Sequence, residues 1–253
     1  MSEITSTANP RVKAWRQLLT PDGRRAHGLF LAEGEHLANE AVRAGAAECL
    51  LILKERQDRY RMAMPEGLPV VPVSSQVLSF LCDTRTPQGI LAVCRMPEPS
   101  LIGMAGPRLV ALNRVQDPGN VGAILRTMDA AAFDGLVIDA GCADPFSPKA
   151  LRASMGAVFR VPVYSFSSLA EALELLTGYI FVAGDLSGAP YYEHPLFGAK
   201  VCLMMGNEGA GLDEGLLKRA DYRLKLPIPG GAESLNAAVA ASLMIYDILI
   251  RSE

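Results

Sequence analysis

Beyond residue 107 the chain alternates short, nearly unbroken apolar runs with longer stretches whose apolar residues recur every three or four positions. The unbroken runs predict strands at Arg108–Leu112, Gly135–Asp139, Phe159–Tyr164, Tyr179–Ala183, Lys200–Met205 and Tyr222–Leu226, covered on both faces as in a mostly parallel sheet. The periodic stretches predict helices at Val121–Ala132, Pro148–Ala157, Ser168–Thr177, Asp213–Arg219 and Ser234–Arg251. Before residue 96 the same alternation is smaller in scale. Strands are expected at Gly28–Leu31, Glu48–Leu53, Pro69–Val73 and Gly89–Cys94, and helices at Pro10–Leu19, Gly34–Ala44, Lys54–Arg61 and Ser74–Leu81. Between the two halves, Met96–Pro107 holds three prolines and two glycines and reads as a linker. The pattern therefore predicts an α/β chain with a small domain over residues 1–96, a linker over 97–107 and a larger domain over 108–253.

The last predicted helix departs from the amphipathic rule. Ala237–Ile250 is apolar nearly all the way round, with Asp247 as its one charge, and such a helix needs cover on more than one side. A second copy of the chain is the natural source, so a homodimer packed on this helix is expected. Ser242 and Asp247 interrupt the run, which falls short of the roughly 18 apolar residues of a membrane span. The first fifteen residues lack the apolar stretch of a signal peptide. A cytoplasmic protein without a membrane anchor is expected.

Five scattered cysteines without a CxxC pair, and three histidines remote from other ligand types, argue against a disulfide framework or a metal site. The net charge of −3 does not advertise nucleic-acid binding, but its distribution is uneven. Residues 1–96 carry 12 Lys/Arg against 10 Asp/Glu, and residues 97–253 carry 12 against 17. Near the N-terminus Arg11, Lys13, Arg16, Arg24 and Arg25 face only Glu3 and Asp22, which makes either a basic patch or a solvated helix face.

Candidate chemistry lies in three segments at strand-to-helix crossings: Asn113–Arg126 (NRVQDPGNVGAILR), Met205–Leu212 (MGNEGAGL) and Leu226–Asn236 (LPIPGGAESLN). Open α/β sheets bind ligands at the carboxyl ends of strands, so the three are expected to build one composite pocket. In the first, Pro118 and Gly119 make a turn, Asn120 is a candidate helix cap, and Asn120 and Arg126 are candidates for meeting a phosphate or oxyanion. The second has glycines at i, i+3 and i+5, which fails the i, i+2, i+5 spacing of a dinucleotide loop, and no Gly-Lys-Ser/Thr follows. Glu208 there suits an amino group or a ribose hydroxyl better than a phosphate. The third stiffens and opens the backbone before Glu233, Ser234, Leu235 and Asn236, with Ser234 as the expected cap of the last helix. A serine-hydrolase reading fails for want of GxSxG and a partner histidine.

Together these segments resemble the three signature motifs of the SpoU (TrmH-type) RNA ribose 2′-O-methyltransferases of the SPOUT superfamily. The resemblance rests on Asn120 followed six residues on by Arg126; on Gly206-Asn207-Glu208 with Gly211-Leu212; and on Pro227 to Gly230 followed by Ser234-Leu235-Asn236. It covers residues 108–251, with Ile228 standing where methionine is commoner. Residues 1–96 resemble the small ribosomal-protein-like domain that binds RNA ahead of many such catalytic domains, through Asn9-Pro10-Arg11-Val12-Lys13, Glu33-Gly34 and Thr86-Pro87-Gln88-Gly89.

What the resemblance implies is a mostly parallel sheet with a deep C-terminal trefoil knot, a rare exception to unknotted topology, a homodimer, and S-adenosylmethionine as methyl donor. It implies cofactor binding at Gly206, Leu226, Ile228 and Leu235. It implies a catalytic set of Arg126, Asn120, Glu208, Ser234 and Asn236, in which Arg126 binds a phosphate and stabilises the developing alkoxide while Glu208 is an alternative proton acceptor. RNA contacts are expected from Arg11, Lys13, Arg24 and Arg25, with ribosomal RNA as substrate and no metal. The alternatives at this stage are transfer RNA with the same chemistry, a non-catalytic RNA- or ribosome-binding protein retaining the fold, and a nucleotide-dependent small-molecule enzyme.

Overall fold

A computed structural model describes residues 2–60, 65–98, 106–193 and 200–251. Most of the expected linker, Arg61 at the end of one expected helix, and His194 lie outside these residues. The chain forms two compact units, one of Met1–Pro97 with Phe146–Arg160 and one of Glu98–Pro145 with Val161–Glu253. The first unit thus takes a helical segment from the later half of the sequence.

In chain order the first unit contains α1 (Pro10–Gln17), α2 (Pro21–His27), β1 (Leu29–Glu33), α3 (Glu35–Arg43), β2 (Ala47–Leu53), α4 (Gln57–Tyr60), β3 (Val70–Val73), α5 (Ser75–Leu81) and β4 (Ile90–Arg95). Its four-stranded sheet runs β1-β4-β2-β3, with β4 antiparallel to both neighbours and β2 parallel to β3. Val12, Trp15 and Leu18 of α1 pack with Val77, Leu78 and Leu81 of α5 on the sheet residues Leu31, Leu51, Leu91 and Val93.

Helix α2 was absent from the sequence expectation, although its signals are present. Thr20 accepts from the Gly23 N–H, Pro21 opens the helix, and Gly28 closes it in the left-handed conformation at φ 63°. The helix sits so close to the end of α1 that a Cβ on Gly23 would lie 2.0 Å from the Gln17 carbonyl oxygen. The expected helix over residues 54–61 is split, with a 3₁₀ turn at Lys54–Arg56 before α4.

The second unit contains β5 (Arg108–Leu112), α6 (Pro118–Ala130) and β6 (Gly135–Asp139). The chain then crosses to the first unit for α7 (Pro148–Ser154) and returns for β7 (Val163–Phe166), α8 (Leu169–Leu175), β8 (Ile180–Pro190), β9 (Val201–Met205), α9 (Glu214–Leu217), β10 (Tyr222–Lys225) and α10 (Ala237–Arg251). All six strands are parallel, in the order β10-β8-β9-β5-β6-β7. The order reverses beside β5, whose neighbours are β6 on one side and β9 on the other. That is the topological switch point at which α/β sheets bind ligands.

On one face Leu109, Ala111 and Val137 pack with Leu169, Ala172 and Leu173 of α8. On the other, α6 meets α10, and Thr127 Oγ1 lies 2.8 Å from Ser242 Oγ.

Strand β7 begins four residues later than expected. Helix α7 ends at Met155, its cap in the left-handed conformation at φ 50°; Gly156, at φ 84°, then opens a 3₁₀ turn over Ala157–Phe159 instead of a strand. Strand β8 is longer than expected and shifts register against β10 between Arg223 and Leu224, where a Cβ on Gly188 would sit 2.4 Å from the Arg223 oxygen.

Candidate active site

The switch point brings the three segments together. Helix α6 is capped by Asp117, whose Oδ1 accepts from the Gly119 N–H at 2.5 Å and the Asn120 N–H at 3.3 Å. This corrects the expectation that Asn120 caps the helix. Being inside the first turn, Asn120 has its side chain available for contacts across the site. Its Nδ2 donates to Glu208 Oε1 at 2.5 Å, and its Oδ1 accepts from Asn236 Nδ2 at 3.0 Å. One amide therefore joins all three segments.

Asn236, not Ser234, caps α10. Its Oδ1 accepts from the N–H groups of Ala238 at 3.0 Å and Val239 at 3.2 Å, and its carbonyl accepts from Ala240. Asn236 is thus held at both ends of its side chain, while Ser234, two residues before the cap, stays exposed.

Beside these bonds lies a polar cluster with a buried centre at Asn113 and Asp139. Asn113, 2 % exposed at the end of β5, donates from Nδ2 to Asp139 Oδ2 at 2.6 Å and to Asp213 Oδ2 at 3.1 Å. Its own Oδ1 accepts from the Asp213 N–H. Arg114 follows in the left-handed region at φ 54° and pairs with Asp213, and its carbonyl accepts from Asn207 Nδ2 at 3.0 Å. Asn207 Oδ1 in turn accepts from the N–H groups of Gly209 and Ala210, which folds the loop that carries Glu208. The loop is tight: a Cβ on Gly206 would lie 2.1 Å from the Gly211 carbonyl carbon. Glycine is required there by backbone approach, not by φ.

A cavity of about 290 Å³ opens beside these loops. Gly206, Leu226, Ile228 and Leu235, the four residues expected to hold a cofactor, all line it, as do Glu208 and Ser234. Its apolar wall includes Met205, Leu224 and Met244. Asp185, which the sequence reading passed over, also lines it from the carboxyl-end half of β8. Burial works against the charge of Asp185, but hydrogen bonds from the Ser187 N–H at 3.1 Å and Arg223 Nε at 2.7 Å outweigh it, holding the carboxyl below the ordinary value. The signal that could have found it is Gly184-Asp185-Leu186-Ser187-Gly188, a polar, glycine-flanked stretch that bulges between two paired stretches of β8 on β10.

Arg126 is placed differently. It is exposed on α6, about 9 Å along the axis from Asn120, and is not among the residues that line the cavity. The two thiols of this unit are protonated at neutral pH: burial pushes Cys202 up to about 12, and burial together with the neighbouring Asp139 pushes Cys142 up to about 12.

The basic residues of the first unit divide. Arg11 is exposed with its guanidinium 4.9 Å from the Trp15 ring centroid, Lys13 is exposed, and Arg25 pairs with Asp22 at 2.5 Å. Arg24 is 1 % exposed and donates to the Leu18 carbonyl at 2.9 Å, sealing the end of α1. Burial removes Arg24 from any surface that RNA could touch. Among the described residues no cluster of three or more His, Cys, Asp or Glu could hold a metal, and no helix is long and apolar enough to cross a membrane.

Residues 107–246 match the SpoU rRNA Methylase family, and residues 9–92 match the MRM3-like substrate binding domain. The chain is 38 % identical over 250 residues to the 23S rRNA (guanosine(2553)-2'-O)-methyltransferase RlmP of Bacillus subtilis, covering 98 % of this chain and 99 % of that one. The fold is similar to that of the SpoU methyltransferase AviRb from Streptomyces viridochromogenes in complex with AdoMet, with a TM-score of 0.86, 28 % identity, and coverage of 96 % and 97 %. It is also similar to the AdoMet-bound rRNA methyltransferase from Sinorhizobium meliloti, with a TM-score of 0.86, 32 % identity, and coverage of 98 % and 97 %.

Proposed function

From the premise that this chain belongs to the SpoU rRNA methylase family, we propose that it methylates a ribose 2′-hydroxyl of 23S ribosomal RNA with S-adenosylmethionine. The observation that carries the reading is the Asn120 amide, bonded at once to Glu208 and Asn236. Asn120 lies 88 residues from Glu208 and 116 from Asn236, yet the three segments meet through side chains that a merely structural loop would not need. A chain that had kept the fold and lost the chemistry would have no cause to keep that contact.

The cavity suits an adenosylated sulfonium. Its apolar wall of Met205, Leu224, Leu226, Ile228, Leu235 and Met244 fits the uncharged surface, and the carboxylates of Asp185 and Glu208 complement positive charge. When bound, the cofactor supplies an electrophilic methyl group to the ribose oxygen. The residues of the chain divide the remaining work. Gly206 and Leu226 offer backbone groups for the adenosyl part, and Ile228 and Leu235 exclude water. Asn120 and Asn236 orient the ribose hydroxyl. Arg126 takes the phosphate beside the target ribose and stabilises the oxygen as it loses its proton, since arginine keeps its charge and its fork of donors. Glu208, which lines the cavity and already accepts from Asn120, is an alternative acceptor to water for that proton, and Ser234 helps shape the rim.

Helix α10 supports a homodimer. Its inner face is buried through Ala241, Met244, Ile245 and Ile248, whereas Val239, Leu243, Tyr246 and Ile250 form an exposed apolar stripe at spacings of four, three and four residues, with Ile250 70 % exposed. Leu243→Glu is expected to yield monomers in sedimentation velocity, and an unchanged dimer would remove α10 from the interface. The same reading includes a C-terminal trefoil knot around the cavity, a division along the sequence into 1–96 and 108–253 with residues 146–160 folded into the first unit, and action in the cytoplasm. Mapping of 2′-O-methyl marks on 23S rRNA from a deletion strain should lose one mark that the wild-type chain restores. An unaltered map would overturn the assignment.

A further inference from the structure

The first unit holds a polar cleft of about 390 Å³ that the site described above does not use. It is lined by Glu35, Arg56, Arg59, Thr86, Pro87 and Gln88, contributed by the start of α3, the turn leading into α4, and the loop before β4. Its parts are held in place individually. Arg56 Nη1 donates to the Gln88 carbonyl at 2.6 Å, and Arg59 Nη2 pairs with Glu35 Oε2 at 2.7 Å. Gln88 Oε1 accepts from the Glu35 N–H at 2.9 Å.

Two glycines make this packing possible, both with φ in the left-handed range. A Cβ on Gly89, at φ 94°, would lie 2.6 Å from Arg56 Cδ, and one on Gly34, at φ 93°, would lie 3.0 Å from Gln88 Oε1. Each guanidinium has five N–H donors and commits one terminal nitrogen to these contacts, so donors remain on both. The Gln88 amide nitrogen and the Thr86 hydroxyl add neutral donors of the kind that meets phosphate and 2′-hydroxyl oxygens. The two arginines outnumber the one carboxylate in the lining, and Arg85 stands exposed beside Thr86.

We propose that this cleft grips the sugar–phosphate backbone of the RNA substrate, with Arg56 and Arg59 as phosphate ligands and Thr86 and Gln88 as hydrogen-bond partners. The inference rests on the methyl-transfer reading above and deepens it by giving the substrate a second point of attachment. It also shifts weight from the α1–α2 surface, where Arg24 is buried and Arg25 is paired. Pre-anchored arginines lose less side-chain freedom on binding than solvated lysines, which favours fixed register over loose attraction.

The test uses the full-length chain with an unmodified 23S rRNA transcript, comparing wild type with Arg56→Gln/Arg59→Gln. Each lost phosphate contact should lower the slope of log affinity against log salt by about 0.7–0.9, so the double variant should lose about 1.4–1.8 in slope and at least tenfold in affinity near 0.1 M salt. KM for RNA should rise in step, while kcat at saturating RNA and the calorimetric affinity for S-adenosylmethionine stay within about twofold. Thr86→Val leaves the ion pairs alone and should weaken RNA binding severalfold with an unchanged salt slope. A folded double variant with wild-type RNA affinity and salt slope overturns the cleft while leaving the methylation reading intact. A wild-type chain that binds S-adenosylmethionine but no 23S rRNA overturns both.

Discussion

The two units use similar material in different ways. In the second, six parallel strands send every following loop to the same edge, and residues as far apart as Asn120, Glu208 and Asn236 meet there through hydrogen bonds. In the first, a mixed four-stranded sheet offers no such shared edge, and its polar groups are organised pair by pair: Arg56 on Gln88, Arg59 on Glu35, Arg24 on Leu18. A parallel sheet makes a site legible as motifs, because topology alone brings the motifs together. A mixed sheet leaves the function of a charged residue to the phase of its helix, which spacing does not reveal.

That contrast can be tested, beginning with its largest expected effect. Arg126→Ala in the second unit should lower methyl-transfer turnover by about 10²–10³, the usual loss for one charge-stabilising group, with cofactor affinity nearly constant. A rate near that of wild type would leave the gathered loops without their proposed cation. Gly206→Ala comes next. Its Cβ meets the Gly211 and Leu212 backbone at 2.1–2.3 Å, and about 1–3 kcal/mol of overpacking at the cavity wall should weaken S-adenosylmethionine binding about ten- to hundredfold by calorimetry.

In the first unit the effects should be smaller and should separate. Arg24→Gln strips a buried carbonyl of its partner and should cost about 1–3 kcal/mol in denaturant unfolding without changing the salt slope of RNA binding. Arg11→Gln should do the reverse, keeping stability and lowering that slope by about 0.7–0.9. If Arg24→Gln altered the slope and left stability alone, the division between sealing and surface arginines would be wrong.

Much of the second unit was visible in its residues. Runs such as Leu109–Leu112 and Val201–Met205 are apolar without alternation, which only strands covered on both faces sustain. The cavity-lining residues Gly206, Leu226, Ile228 and Leu235 came instead from the resemblance of their loops to the family's motifs, which strand periodicity alone does not supply. Less visible were features decided by tertiary contacts. Two nearby polar residues competed for each helix start, and geometry chose Asp117 over Asn120 and Asn236 over Ser234. In both cases a cap takes its place from where the helix axis points, which spacing leaves open. Asp185 was hidden because it sits in a bulge inside a longer strand than the apolar run predicts, and Arg24 because a basic residue among basic residues looks exposed.

The crossing of Phe146–Arg160 into the first unit has a practical side. Phe159 stacks its ring on Phe30 and Phe146 packs against it at a tilt, and the Glu40 carboxylate takes Arg160 as well as Arg43. A scissor cut near residue 97 would therefore leave a greasy, charge-stripped scar on the amino-terminal piece and strand an orphaned helix on the other. Chimeras meant to retarget the enzyme to a new RNA must carry both stretches of sequence as one cassette.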